Sequence, residues 1–407
     1  MSFWADPYQF IIQWFLGVLA GWGLAPGWVN FVAYLIGSLI LVIVSLLLTV
    51  FLIVFERKVI GRVQDRFGPN RVGPWGIFQT VADMIKIFTK EYITPSGVDK
   101  IPYNLAPILM MGGVLMLWAV IPFSVTFFGT DLSVAVLYIV AVGGIGELGV
   151  ILAGWSSNNK FALVSAFRAM AQLISFEVPM VLAMLIPVML SGSLSLNDIV
   201  KGQDVWYLFL SPVAAFIFYV TLIAEVGRGP FDLLEADSEI VAGFNTEYSG
   251  LKFGFFFVAD FLHGFTIGML FTIFFLGGWR GPAAEAVPIL GIFYFLFKSF
   301  VVYFSMVMMR ATLPRFRIDM MMNFNWKFLA PLALLAIIFT ALLGKLIPSG
   351  MFYVQIPVMI LMNILLWVGY SFFFSKFSQK HPRPVVAPVP SPIAGYSTIQ
   401  VKPEKGA

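Results

Sequence analysis

The chain has 407 residues, of which 60% are hydrophobic and 11% charged, with a mean hydropathy of +0.92; an average soluble protein is about 25% charged, so too little polar surface exists to clothe soluble domains. The absence of cysteine excludes disulfides, c-type haem attachment and protein-ligated iron–sulfur clusters, so any electron carriers belong to other chains. The net charge of +4 is read loop by loop, as lipid orientation rather than nucleic-acid binding.

Residues 1–27 are aromatic and broken by Asp6, Pro7 and Pro26. They lack the basic start and small-residue cleavage site of a secretory leader, and are expected to be an interfacial lead-in. From there to residue 375 the expectation is an all-α transmembrane bundle. About 20 apolar residues cross ~30 Å of hydrocarbon, and nine segments qualify: 28–55, 103–127, 132–155, 161–190, 205–226, 253–277, 286–309, 328–347 and 354–374. None shows the short alternation of a membrane β-barrel strand.

The first span leads into a cytoplasmic loop, 56–102. Within it FGPNRVGPWG holds Gly68, Pro69, Gly73, Pro74 and Gly76 and must form turns. Ile77, Phe78, Val81, Met84, Ile85 and Phe88 then recur at 3/4 spacing, with Gln79, Asp83, Lys86 and Lys90 between them. This describes an amphipathic helix lying in the membrane surface. Two functions fit it: an anchor on anionic lipid, or a portal where an apolar molecule leaves the bilayer beneath the helix.

In the third span GIGELG satisfies G-x-G-x-x-G, but no strand precedes it and no βαβ unit follows, so close helix packing explains the glycines better than a nucleotide. No P-loop and no HExxH occurs, which withdraws support from ATP-driven transport and metal hydrolysis; no metal site is expected. Between spans five and six, in loop 227–252, Asp232, Glu235, Asp237, Glu239 and Glu247 interleave with Phe231, Leu233, Leu234, Ile240, Val241 and Phe244. That alternation suggests a loop folded against protein, where crowded carboxylates exchange protons near neutral pH. In loop 310–327 the cluster Arg310, Arg315, Arg317 and Lys327 either anchors a span end or pairs with the acidic loop. Residues 376–407, with PRPVVAPVPSP, form a proline-rich tail, extended or docked on a neighbour.

Of the 25 Lys and Arg residues, 21 fall in one set of loops and the tail; Lys201, Arg280 and Lys345 lie in the opposite set, and Lys298 within a span. The expected N-terminus is therefore outside and the tail cytoplasmic, in agreement with an odd number of spans. Glu147, Glu177, Glu225, Asp260 and Lys298 lie inside predicted spans, with His263 one turn from Asp260. A charge at mid-bilayer costs about 2.5 to 3.5 kcal/mol on insertion scales, so these groups should face the bundle interior as a buried chain of protonatable sites.

The strings ERKVIGRVQDRFGPNRVGPWG, GWSSNNKFALVSAFRAMAQLISFEVP, GFNTEYSG and RATLPRFRIDMMMNFNWK resemble, in order, the quinone-site membrane subunit (the heel) of respiratory complex I, an NADH:quinone oxidoreductase. The resemblance spans roughly residues 30–345. It implies a bacterial plasma-membrane protein that joins the hydrophilic subunits carrying the terminal iron–sulfur cluster to the small and antiporter-like membrane subunits. Quinone would be its substrate, held in a chamber shared with those neighbours. By the same resemblance Glu56, Arg57 and Asp83 line the chamber entrance. Arg228, Asp232, Glu235, Asp237, Glu239 and Glu247 form the acidic coupling loop, and Glu147, Glu177, Glu225 and Asp260 begin the proton path. Gly229, Leu234, Asp260, Ile318 and Met320 depart from the usual pattern, and none of these changes removes a charge. The alternatives are the membrane subunit of an energy-converting hydrogenase and a stand-alone ion transporter; the complete FGPNRVGPWG and FNTEYSG strings favour complex I.

Overall fold

A computed structural model describes residues 7–21, 25–234, 237–346 and 352–380. Among them the chain is built from helices and one isolated β-bridge. In order these are α1 Pro7–Gly21, α2 Pro26–Val63, α3 Gln79–Thr89, α4 Lys100–Trp118, α5 Ala135–Ser156, α6 Lys160–Ser191, α7 Leu196–Lys201, α8 Tyr207–Leu210, α9 Pro212–Val226, α10 Asp237–Ile240, α11 Gly250–Phe275, α12 Pro288–Thr312, α13 Ile318–Phe324, a π turn Asn325–Leu329, α14 Ala330–Leu346 and α15 Phe352–Lys380. Among the described residues seven helical stretches, with Ile318–Leu346 counted as one, are long and apolar enough to cross a membrane. The chain is a polytopic membrane protein. A main unit ends at Trp367, and a second begins at Val368.

The fifth expected span, 205–226, differs from expectation. It is two pieces, α8 and α9, parted at Ser211, whose φ of −137° and ψ of 66° are not helical. Pro212 is the reason: it has no amide to donate back into α8 and disfavours helical geometry in the residue before it. At 1.5 Å per residue the 15 residues of α9 reach about 22 Å, short of a full crossing. The ninth expected span lies within α15, whose apolar stretch is Ile356–Phe372.

Small residues let α4 and α5 touch. A Cβ on Gly149 would stand 2.9 Å from both the Ala106 carbonyl and the Met110 amide, and one on Gly113 would meet the Gly146 backbone at 3.0 Å. Gly146 and Gly149 of GIGELG thus lie in a packing seam, whereas Gly144 faces open space. α11 is the hub, 78% buried over its most apolar window, because Gly264 and Gly268 allow α12 to approach it through Tyr303 and Ser299.

The loop after α2 makes turns at FGPNRVGPWG, with one short 3-10 turn at Pro74–Gly76. Gly76 has φ +74°, and a Cβ there would fall 2.2 Å from the Pro69 carbonyl oxygen, so only glycine fits. The amphipathic helix begins at Gln79, two residues later than the apolar spacing suggests. Val81, Ile85 and Phe88 are exposed along it, while Ile87 packs on Gly254 of α11. The acidic loop folds back as expected: Phe231, Leu233, Leu234, Ile240 and Phe244 are buried. Val241 is not; it is exposed with φ 64°.

Candidate functional site

Three helices and one loop bring charges to a common point. Glu56 lies near the C-terminal end of α2 and is only 2% exposed. Its carboxylate accepts from Arg228 Nη1, from Arg310 Nη1 and, at 2.8 Å, from the Tyr303 hydroxyl. Arg228 follows the left-handed Gly227 that ends α9. Its Nη2 donates to Asp260 Oδ2 at 3.2 Å, and its guanidinium lies 4.6 Å from the centre of the Phe261 ring. Two cations thus face two carboxylates, the balance a low-dielectric interior requires. Burial works against the Arg228 cation, yet Glu56 and Asp260 overcome it and hold its proton more firmly than an ordinary arginine's.

Beside this cluster lies a cavity, part of whose roughly 900 Å³ of space is open to the outside, walled by Glu147, Glu225, Arg228, Asp232, Asp260, His263 and Arg310, with Met110, Val114 and Phe256 among its apolar lining. A second, smaller cavity is lined by Glu147, Glu177, Glu225 and His263 together with Met180, Met184 and Phe218. Glu147, Glu225 and His263 belong to both walls. Glu225 Oε1 and His263 Nε2 are 3.7 Å apart. The four intramembrane carboxylates singled out in the sequence therefore border two adjacent cavities that share part of their walls. Carboxylates facing internal space, with a histidine between, can pass protons through intervening water.

Arg57, next to Glu56, faces elsewhere. It donates to Asp83 of α3 at 2.5 Å; Gln79 Nε2 adds a 3.3 Å bond and Lys86 stands at 3.6 Å. Burial pushes the Asp83 carboxyl up, but the Arg57 bond and charge prevail and hold it below the usual carboxylate range. The described loop acids are dispersed. Asp232 is on the first cavity wall, Glu239 pairs with Arg168 of α6, and Glu247 Oε1 accepts from Asn159 at 2.6 Å. Glu235 lies outside the described residues, as does the side chain of Asp237.

Lys298 departs from the expected buried chain. Its Nζ donates to the carbonyls of Leu276 (2.8 Å), Gly278 (3.1 Å) and Arg280 (2.8 Å). Those carbonyls follow the end of α11, where no further helical amide is available, so a cation is favoured there. Arg310, expected at a span end or on the acidic loop, instead serves Glu56. Tyr303 carried no sequence signal of its own, although it sits seven residues before Arg310 and so on the same face of α12. Gln172, buried on α6, was also missed; its Nε2 donates to the Ala224 and Phe231 carbonyls and ties α6 to the end of α9 beside Glu225.

A many-span helical bundle whose buried acids border internal cavities defines a membrane protein built for moving charge. The family model described as NADH dehydrogenase matches residues 36–341, and the chain belongs to that family. It is 44% identical over 350 residues to the NADH-quinone oxidoreductase H subunit of Dehalococcoides mccartyi (strain CBDB1), covering 86% of this chain and 96% of the relative. The corresponding H subunit of Geobacillus sp. (strain WCH70) is 45% identical over 324 residues, 79% of this chain and 97% of the relative.

Proposed function

We propose that this chain is the quinone-chamber and proton-path subunit of a proton-pumping NADH:quinone oxidoreductase. It is a membrane subunit of that multi-subunit oxidoreductase, in which quinone is the substrate; the names of its relatives do not favour a hydrogenase subunit or a stand-alone transporter. Electrons come from partner subunits, one of them holding the terminal iron–sulfur cluster, and the small and antiporter-like membrane subunits receive the proton signal. The membrane is the bacterial plasma membrane, with the N-terminus outside and the tail in the cytoplasm.

The observation that carries the reading is the shared wall of Glu147, Glu225 and His263 between the two cavities. Reducing a quinone to its quinol takes two electrons and two protons, and the change of charge beside buried acids alters which of them hold protons. Arg228, Arg310, Glu56 and Asp260 fix the field at the first cavity. Arg57 and Asp83 hold α3, whose exposed apolar residues suit the portal through which quinone leaves the bilayer.

The test is Glu225→Gln in the assembled complex. The variant keeps the side chain's shape and removes its proton exchange. Proton-coupled quinone reduction in membrane vesicles should fall about tenfold or more, with assembly intact; unchanged coupled turnover would sink the relay role.

A further inference from the structure

α6 carries two prolines within it, Pro179 and Pro187, of which Pro179 matters here. Proline has no amide hydrogen, so the carbonyl four residues earlier, that of Ser175, loses its helical donor and is also crowded by the ring. In hydrocarbon no water replaces such a donor. The Ser175 carbonyl instead accepts from Asn325 Nδ2, a side chain of a different span. A carbonyl oxygen can only accept, so the amide nitrogen must be the end that meets it. Asn325 is fully buried. Ser175 is held further by its own hydroxyl, which reaches the Ala171 carbonyl at 2.5 Å and Met322 Sδ at 3.3 Å.

The backbone around Asn325 is also unusual. Asn325 opens the π turn Asn325–Leu329, in which the Ala330 amide bonds to the Asn325 carbonyl five residues back. An α-helix advances about 100° per residue, so removing the extra residue would swing the side chains before it by about that angle relative to those after it. The π turn is what brings α14 onto α6 while Asn325 points at Ser175. Between Ser175 and Pro179 lies Glu177, on the wall of the second cavity, in the turn of α6 that lacks its own hydrogen bond.

We propose that Asn325 is a positioning residue for Glu177: its side-chain amide replaces the N–H that Pro179 cannot supply, and so holds the Glu177 turn against the second cavity. The inference rests on the reading of Glu177 as a proton carrier. Its signature is dependence on Pro179, since restoring a backbone N–H at 179 makes the Asn325 amide redundant.

The experiment is a double-mutant cycle in the purified complex, with Asn325→Leu, Pro179→Ala and the pair together, alongside Glu177→Gln. Two readouts are taken: proton uptake per quinone reduced in proteoliposomes with a short-chain quinone, and the thermal midpoint in detergent. Asn325→Leu should lower coupled turnover about tenfold and lower the midpoint; Pro179→Ala alone should be near wild type, and the double variant should recover both to within about twofold of wild-type turnover. Full activity in Asn325→Leu, or a loss that Pro179→Ala does not rescue, overturns the proposal. If the midpoint follows the cycle but Glu177→Gln pumps normally, the backbone repair stands and the positioning role falls with the Glu177 reading.

Discussion

Glu56 and Arg57 are neighbours in the chain that bond in different directions: Glu56 turns inward to Arg228, Arg310 and Tyr303, while Arg57 reaches Asp83 on the surface helix α3. One peptide unit therefore links the buried charge cluster to the amphipathic helix.

Removing Glu56 should be severe. Glu56→Ala leaves Arg228 with Asp260 alone and takes from Arg310 the carboxylate it donates to, a loss of about 1.5–3 kcal/mol. The expected outcome is a marked fall in assembled complex on native gels; Glu56→Gln, which keeps acceptor oxygen but not charge, should fall between. Normal levels of both variants would contradict the balanced-cluster description.

Lys298→Met should separate stability from proton movement. The substitution deletes three charge-assisted bonds to the carbonyls after α11, which contribute about 2 kcal/mol or more together. The thermal midpoint of the complex should drop while proton uptake per quinone reduced stays constant, because Lys298 is not on the wall of either cavity. A changed ratio would return Lys298 to the proton path.

The Arg57–Asp83 pair has a defined pH signature. The Asp83 carboxyl is held low in the folded chain, so the stabilisation it brings is present above the ordinary carboxylate range and lost as pH falls through the lowered value. Between about pH 5 and 8 the Asp83 carboxylate stays ionised, and Asp83→Asn should alter the quinone KM by a factor that is flat over that range. A factor that varies with pH there would mean that Asp83 titrates in the working enzyme.

Asp83→Trp tests the portal by bulk. A large ring on the inner side of α3 should raise the quinone KM more for a long-tailed quinone than for a short one, with assembly retained. Equal effects on both tails would leave α3 as an anchor only.

Much of this site was legible in the residues alone. The intramembrane acids stood out by their cost in lipid, and Glu147, Glu177, Glu225 and Asp260 do border the two cavities. What escaped were partnerships made across the bundle. Tyr303 and Gln172 look ordinary in apolar or polar runs, and their work appears only when α12 meets α2 and α6 meets α9. Lys298 was grouped with the acids because periodicity records depth and not which neighbour waits there. The break at Ser211 was hidden by a hydropathy window that reads α8 and α9 as one span, although Pro212 marked it.

That break has a consequence for the far end of the chain. The Leu210 carbonyl, at the end of α8, accepts from Asn363 Nδ2 of α15 at 3.2 Å, and Trp367 packs edge-on against Phe216. α15 lies beyond the residues that match the family model. A helix outside that matched stretch has thus become its mortar: cutting the chain after α14 would strip a backbone oxygen of its amide in greasy surroundings, and descendants could discard this helix only after mending the fracture it covers.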